Sequence, residues 1–157
     1  MFSCDIGAKR YADILRKYAL EFALASEVVF AVAATESHFN PKARSSAGAL
    51  GLMQIMPKTG EWIAAQLSLE GFSSEDLFDP EINVRFGCYY LFYLGGRFSE
   101  GWMVYAAYNA GEGVVLEWLS DGITDAESIP FPETKKYVRR VSEAIRYYRE
   151  KNFVVFH

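Results

Sequence analysis

Residues 31–60 read AVAATESHFNPKARSSAGALGLMQIMPKTG, and this stretch decides how the chain is understood. Its first five residues are small and nearly all apolar, and the run ends abruptly at Glu36. Ser26 is placed to cap a helix over 27–37 that is apolar nearly all round, the mark of a central, buried helix. That helix stops before Pro41, because the proline ring pushes Asn40 out of the helical region. A carboxyl at the end of a buried helix loses hydration, and desolvation raises its pKa. Partly protonated near neutrality, it can give a proton to a leaving oxygen. The plainer reading is a Glu at a helix end that points into solvent, and the residues that follow weigh against it. Gly48 and Gly51 let backbone approach a ligand closely. Ser45, Gln54 and Asn109 supply directional polar contacts, and Tyr105, Tyr108 and Trp102 supply flat apolar faces when they are not simply core.

Outward from this stretch the chain reads as helix after helix. Residues 9–24 carry Tyr11, Ile14, Leu15, Tyr18 and Phe22 on one stripe at helical spacing. No helical period runs from Lys42 to Gln54, and GLMQI (51–55) reads as a short strand or extended turn. Pro57 opens a helix over 57–67. SSEDLFDP (73–80) is a connector, and Asp79 and Pro80 start a helix as N-cap and first residue, ended by Gly95-Gly96. Ser99 caps a helix that stops near Gly111, and a short one over 112–119 closes at Asp121-Gly122. After the irregular ITDAESIPF (123–131), Pro132 opens a last helix with Val138, Val141, Ile145 and Tyr148 inward. The tail FVVFH (153–157) reads as strand or docked coil.

The 157 residues suit one domain, 1–157, with one core. The expected class is mainly α, a single helical domain with a short extended or β segment after the Glu36 helix. Sixteen basic residues face 20 acidic ones, a net charge of −4, so no nucleic-acid partner is expected. No apolar run approaches a membrane span, and the N-terminus lacks the pattern of a signal peptide. Cys4 and Cys88 are no disulfide framework, and whether they bridge is open; Cys88 reads as a small buried hydrophobe. With two histidines, His38 and His157, a His-based triad or metal cage is not expected, and neither is any cofactor. Gly-rich phosphate loops and nucleophile elbows are absent.

Four blocks in order then match a known pattern. ESHFNPKARSSAGALGLMQIMPKTG (36–60) closely resembles the signature of bacterial lytic transglycosylases of the soluble, goose-lysozyme-like type. LFDPEINVRFGCYYL (77–91), AAYNAGEGVVLEWL (106–119) and IPFPETKKYV (129–138) resemble that family's later blocks, so the likeness covers nearly the whole chain. It implies a lysozyme-like fold and cleavage of the MurNAc–GlcNAc β-1,4 bond of peptidoglycan. It assigns Glu36 as the single general acid/base. Ser45, Gly48, Leu50, Gln54 and Met56 become groove residues, Tyr108 and Asn109 stand beside the acid, and Glu133 lines the groove with Tyr137 in support. Two departures are visible. Glu112 stands where the family commonly has Pro, and Leu50 replaces a smaller residue, which narrows the groove.

The implied chemistry needs one carboxyl, because the C6 hydroxyl of the cleaved sugar replaces water and leaves a 1,6-anhydro end. A water-using muramidase of the same fold remains the alternative, with Glu61, Asp79 or Glu133 as the second carboxyl; a non-catalytic glycan-binding module is a further one. The expected partners are peptidoglycan glycan strands. The implied place is the cell envelope, outside the cytoplasm on the periplasmic or cell-wall side. The export segment or membrane anchor is expected to be missing from this chain, and the protein to be a monomer. The basic residues of the last helix, Lys135, Lys136, Arg139, Arg140, Arg146 and Arg149, read as a solvated face.

Overall fold

The computed structural model describes residues 2–151, with side chains from Asp5 onward. Seven α-helices account for most of these residues: α1 (Phe2–Glu21), α2 (Ser26–Ser37), α3 (Pro57–Gln66), α4 (Pro80–Arg97), α5 (Gly101–Ala110), α6 (Glu112–Ser120) and α7 (Pro132–Glu150). The extended segment expected after α2 is reduced to two isolated antiparallel bridges, Arg44 with Leu50 and Leu50 with Ile55. The tail 153–157 and the Cys4 side chain lie outside the described residues, and Cys88 is a free, fully buried thiol.

The middle of the fold is α2. Its residues Val29 to Ala34 are all buried, and Ala31, Ala33 and Ala34 are small enough for α1 and α7 to pack closely on it. Phe30 is fully buried against Tyr148 of α7, with ring centroids 5.6 Å apart. Burial of such a ring contributes about 2–3 kcal/mol. The other side of α7 is polar: Val138, Val141, Ile145 and Tyr148 face inward as the periodicity requires. Lys135 and Arg139 meet Glu127 at 3.6 and 3.8 Å, and Arg149 meets Glu27 at 3.5 Å. These exposed pairs hold little energy.

Helix ends are where the structure departs from expectation. Ser26 is the first residue of α2 rather than its cap; Ala25 caps it without any side-chain bond. Ser99 does not cap α5, whose N-cap is Glu100. Gly95 and Gly96 do not end α4, which runs on to Arg97. They lie on its exposed face, while Leu94 and Phe98 on either side are buried and hold the last turn in place. Burial of two apolar residues outweighs a helix-propensity cost of about 1 kcal/mol per glycine. Helix α1 closes early, with Leu24 N–H on Ala19 O and Ala23 N–H on Leu20 O. This is a Schellman closure with Ala23 at φ 53° in the place usually given to glycine. Asp79 and Pro80 do start α4, the Asp79 carboxylate accepting from the Glu81 and Ile82 N–H groups.

Candidate active site

Glu36 sits in the last turn of α2, and the chain leaves that helix by a forced route. His38 and Phe39 both take positive φ, 51° and 61°. The His38 N–H and the His38 ring nitrogen Nδ1 both contact Ala34 O at 3.0 Å, so this histidine ends the helix and its side chain stays at the surface. Phe39 is buried against Gly7, where any Cβ would collide with its ring. Ser37 then clips the coming loop to the helix: its hydroxyl donates to Leu52 O at 2.6 Å and accepts from Asn40 N–H at 3.2 Å.

The loop 42–56 has almost no regular structure, so its backbone groups need partners from elsewhere. Leu50 and Ile55 exchange two N–H···O bonds of 3.0 Å, and Gly51 N–H reaches Ala43 O at 2.9 Å. Gln54 folds back, its amide donating to Ala43 O at 3.1 Å and Gly51 O at 2.9 Å. The strongest clamp comes from Asn83 of α4, which is fully buried. Its amide donates to Leu50 O and Leu77 O at 2.8 Å each, and its carbonyl accepts from Met53 N–H at 2.7 Å. Gly51, at φ +83°, passes so close to Asn83 and Leu77 O that no side chain fits there. From the far side the Tyr108 hydroxyl of α5 donates to Met53 O at 2.7 Å.

These clamps wall a groove made of adjoining recesses. One, of about 240 Å³, is lined by Gln54, Ile55, Met56, Tyr108 and Asn109, among others. Through Asn109 and Ala110 it meets a second, bounded by Phe131, Pro132, Glu133 and Thr134. Thr134 donates to Asn109 Oδ1 at 2.9 Å and so ties α7 to α5. Through Thr59 and Tyr90 the first recess meets a third, toward α3 and α4.

Of the residues singled out from sequence, Gln54, Met56, Tyr108, Asn109 and Glu133 thus come together along one groove. Ser45 and Gly48 form the exposed outer turn of the loop, where Ser45 Oγ accepts from Ala49 N–H at 2.9 Å and Gly48 takes φ +100°. Leu50 is 6% exposed, so it does not narrow the groove; the wall there belongs to Ile55 and Met56. Trp102 packs on the core and gives its indole N–H to the Glu100 carboxylate rather than facing these recesses. Asp79 is occupied in capping α4. Asn83, Ser37, Thr59 and Tyr90 were not expected here. Asn83 had a visible signal, as the lone amide of its helix, one turn after Asp79-Pro80.

The electrostatics centre on Glu36. It is half-buried, and among the described residues no side chain hydrogen-bonds it and no cation pairs with it. Burial alone pushes its pKa from 4.5 up to about 8. Its charge is felt by Tyr108 and Tyr137, both held well above the usual tyrosine range by burial first and by Glu36 next. The Tyr137 hydroxyl is buried and has no hydrogen-bond partner among the described residues. Burial thus favours the neutral acid near pH 7, in electrostatic reach of two phenols, and among the described residues no second carboxylate shifts it.

A helical fold whose central helix delivers one dry carboxyl beside a loop-walled groove defines the lysozyme-like class. The family profile described as "Transglycosylase SLT domain" matches residues 13–128, and the chain belongs to that family. It is 40% identical to the soluble lytic murein transglycosylase of Escherichia coli K12, over 88% of this chain and 23% of that protein. It is 31% identical to the membrane-bound lytic murein transglycosylase C of Actinobacillus succinogenes, over 92% of this chain and 48% of that protein. In structure it is similar to the 70 kDa soluble lytic transglycosylase of Escherichia coli, with a TM-score of 0.83 and 39% identity over 94% of this chain and 26% of that one. An inactive Glu-to-Gln variant of the lytic transglycosylase Slt from Pseudomonas aeruginosa gives the same score at 35% identity, covering 90% of this chain and 24% of its own. The chain spans about a quarter of its soluble relatives and about half of the membrane-bound one.

Proposed function

We propose that the chain is a single peptidoglycan lytic transglycosylase domain. It cuts the MurNAc–GlcNAc β-1,4 bond and leaves a 1,6-anhydro-MurNAc end. The observation that carries this reading is a single carboxyl whose pKa burial alone raises, within electrostatic reach of Tyr108 on the groove wall. Glu36 gives its proton to the glycosidic oxygen as the C1–O bond breaks. The carboxylate so formed takes the proton from the C6 hydroxyl of the same MurNAc, whose oxygen bonds to C1. The proton returns to Glu36 and no water enters. An intramolecular nucleophile of this kind replaces up to about 7–11 kcal/mol of barrier that a bimolecular attack would carry.

Gln54, Met56, Tyr108 and Asn109 hold the sugars, and Tyr137 lies buried within electrostatic reach of the acid. Relatives named for murein cleavage support a substrate in the cell envelope, outside the cytoplasm. One similar structure is a soluble lytic transglycosylase in complex with bulgecin A, 42% identical over 89% of this chain and 24% of that one, with a TM-score of 0.82. That ligand is the natural competitor to try in this groove. Among the described residues no helix is long and apolar enough to cross a membrane. We take the domain to act as a monomer.

Glu133 is the observation behind a second reading. It lines the neighbouring recess, where it would hold a water and make the enzyme a hydrolase. Mass spectrometry of digested peptidoglycan separates the two. Anhydro-muropeptides support the transglycosylase; products heavier by one water, with reducing ends, overturn it. Glu36→Gln is expected to keep glycan binding and lose turnover, and turnover well above background in that variant removes Glu36 from its role.

A further inference from the structure

Past Tyr90 the groove opens into a recess of about 320 Å³ that the proton transfer does not use. Lys58, Thr59, Trp62, Tyr90, Tyr93 and Glu112 line it, and Thr59 and Tyr90 are the walls it shares with the recess at Gln54 and Tyr108. A ligand lying in one therefore reaches the other. The aromatic walls are firm. Trp62 and Tyr93 meet edge to face with centroids 4.8 Å apart, and Tyr90 and Tyr93 lie almost parallel at 6.3 Å.

The polar groups around this recess are unbalanced. Glu112 is already matched: it accepts from the Tyr93 hydroxyl at 2.8 Å and from Arg97 Nε at 3.0 Å. A proline at this position, as in the common family pattern, would leave Arg97 and Tyr93 without that acceptor. Lys58 is exposed, and no described carboxylate lies within ion-pair reach of it. The hydroxyls of Thr59 and Tyr90 and the indole N–H of Trp62 hydrogen-bond no other described group. Four donors, one of them cationic, thus surround a cavity whose only carboxylate is spoken for. Such a site suits a ligand that brings acceptors and negative charge.

The sugars of a peptidoglycan strand bring acceptors but no charge. The peptide stem on the lactyl group of MurNAc brings free carboxylates and an extended amide backbone that fits beside aromatic rings. We propose that this recess binds a carboxylate of the peptide stem, with Lys58 as its counter-ion and Trp62 and Tyr90 as the wall against which the peptide lies. The inference rests on the glycan-cleaving reading above and names the part of the substrate that reading leaves unplaced.

The test compares two soluble substrates, a glycan oligomer bearing its stems and the same oligomer stripped of them by an amidase. Lys58→Gln is expected to raise KM for the stem-bearing oligomer about fivefold to tenfold, the loss of one charge-assisted hydrogen bond. It leaves kcat and the KM for stripped oligomer unchanged, and Lys58→Arg restores most of the affinity. Lys58 is at the surface, so these variants fold. Binding is read independently from the Trp62 indole N–H resonance in Glu36→Gln protein, which shifts with a stem-bearing disaccharide and not with the bare one. An equal KM rise on both substrates gives the recess to sugar and overturns the proposal; so does no change on either. Failure of wild-type protein to cut either oligomer bears on the catalytic reading alone, since the resonance shift needs no turnover.

Discussion

Replacing Glu36 by Gln should stabilise the protein at high pH and not at low pH. The native carboxyl titrates at about 8 against 4.5 when unperturbed, and burial is the whole cause. Between those values the native state binds a proton that the unfolded state has lost, so stability falls as pH rises through that window. Below 4.5 both states are protonated and the stabilising contribution is fully present; above 8 both are ionised and it is gone. One pKa unit corresponds to about 1.4 kcal/mol, so the window is worth about 5 kcal/mol at most. Relaxation and water entry at a half-buried carboxyl bring it to about 2–3 kcal/mol. Gln cannot ionise, and every other group titrates alike in the two proteins. The difference in unfolding free energy, variant minus wild type, should therefore grow by about 2–3 kcal/mol between pH 5 and pH 8. Urea unfolding at a series of pH values measures it. The same ionisation limits catalysis: kcat should fall as pH rises through the raised pKa of the buried acid. Parallel stability curves for the two proteins, or a kcat profile governed only by a group near pH 4.5, would refute the dry-acid argument.

Asn83→Ala strands the Met53 N–H and the carbonyls of Leu50 and Leu77, and should cost about 3–5 kcal/mol, read by urea unfolding; a loss under about 1 kcal/mol means the loop is held otherwise. Tyr108→Phe removes one bond to Met53 O and should cost about 1–2 kcal/mol, with KM for glycan rising as Gln54 and Met56 loosen; an unchanged Tm and KM would mean this hydroxyl holds nothing.

The helices were legible because their signals are local. Asp79-Pro80 and Pro132 start helices where sequence places them, and the 3.6-residue period of α7 needs no partner to be seen. Glu36 was legible for a related reason: an ionisable residue ends a run that has to be buried. The closure of α1 was not, because Ala23 occupies the left-handed position at φ 53° where glycine would have announced it. Gly122, at φ +92°, closes α6 in the same way and could be read. The walls of the groove were half legible. Gln54, Tyr108 and Asn109 carry polar groups in a matching pattern, whereas Tyr90 and Thr59 reach the groove only because α3 and α4 pack side by side. Leu50 was misplaced for a similar reason: a bridge residue between two loop segments has an inside and an outside that no period reveals.

The clamps on the loop and the pKa of the acid are one property seen twice. A carboxyl stays neutral at pH 7 only while water and cations are kept from it. A cation at 4 Å would contribute about 4 kcal/mol at an effective dielectric of 20, enough to cancel the burial shift. The loop beside Glu36 has almost no regular structure, so exclusion depends on its backbone keeping one shape. Asn83, Ser37 and Tyr108 fix that shape from three different helices, each through a carbonyl or N–H that the loop cannot satisfy itself. The charges follow the same logic. The guanidinium groups of Arg139 and Arg149 on α7 face outward to Glu127 and Glu27, and Lys58 stands past Tyr90, where a substrate carboxylate can use it without touching the acid. A loop that merely covered the acid would leave its proton affinity to chance; a loop bolted to three helices sets it.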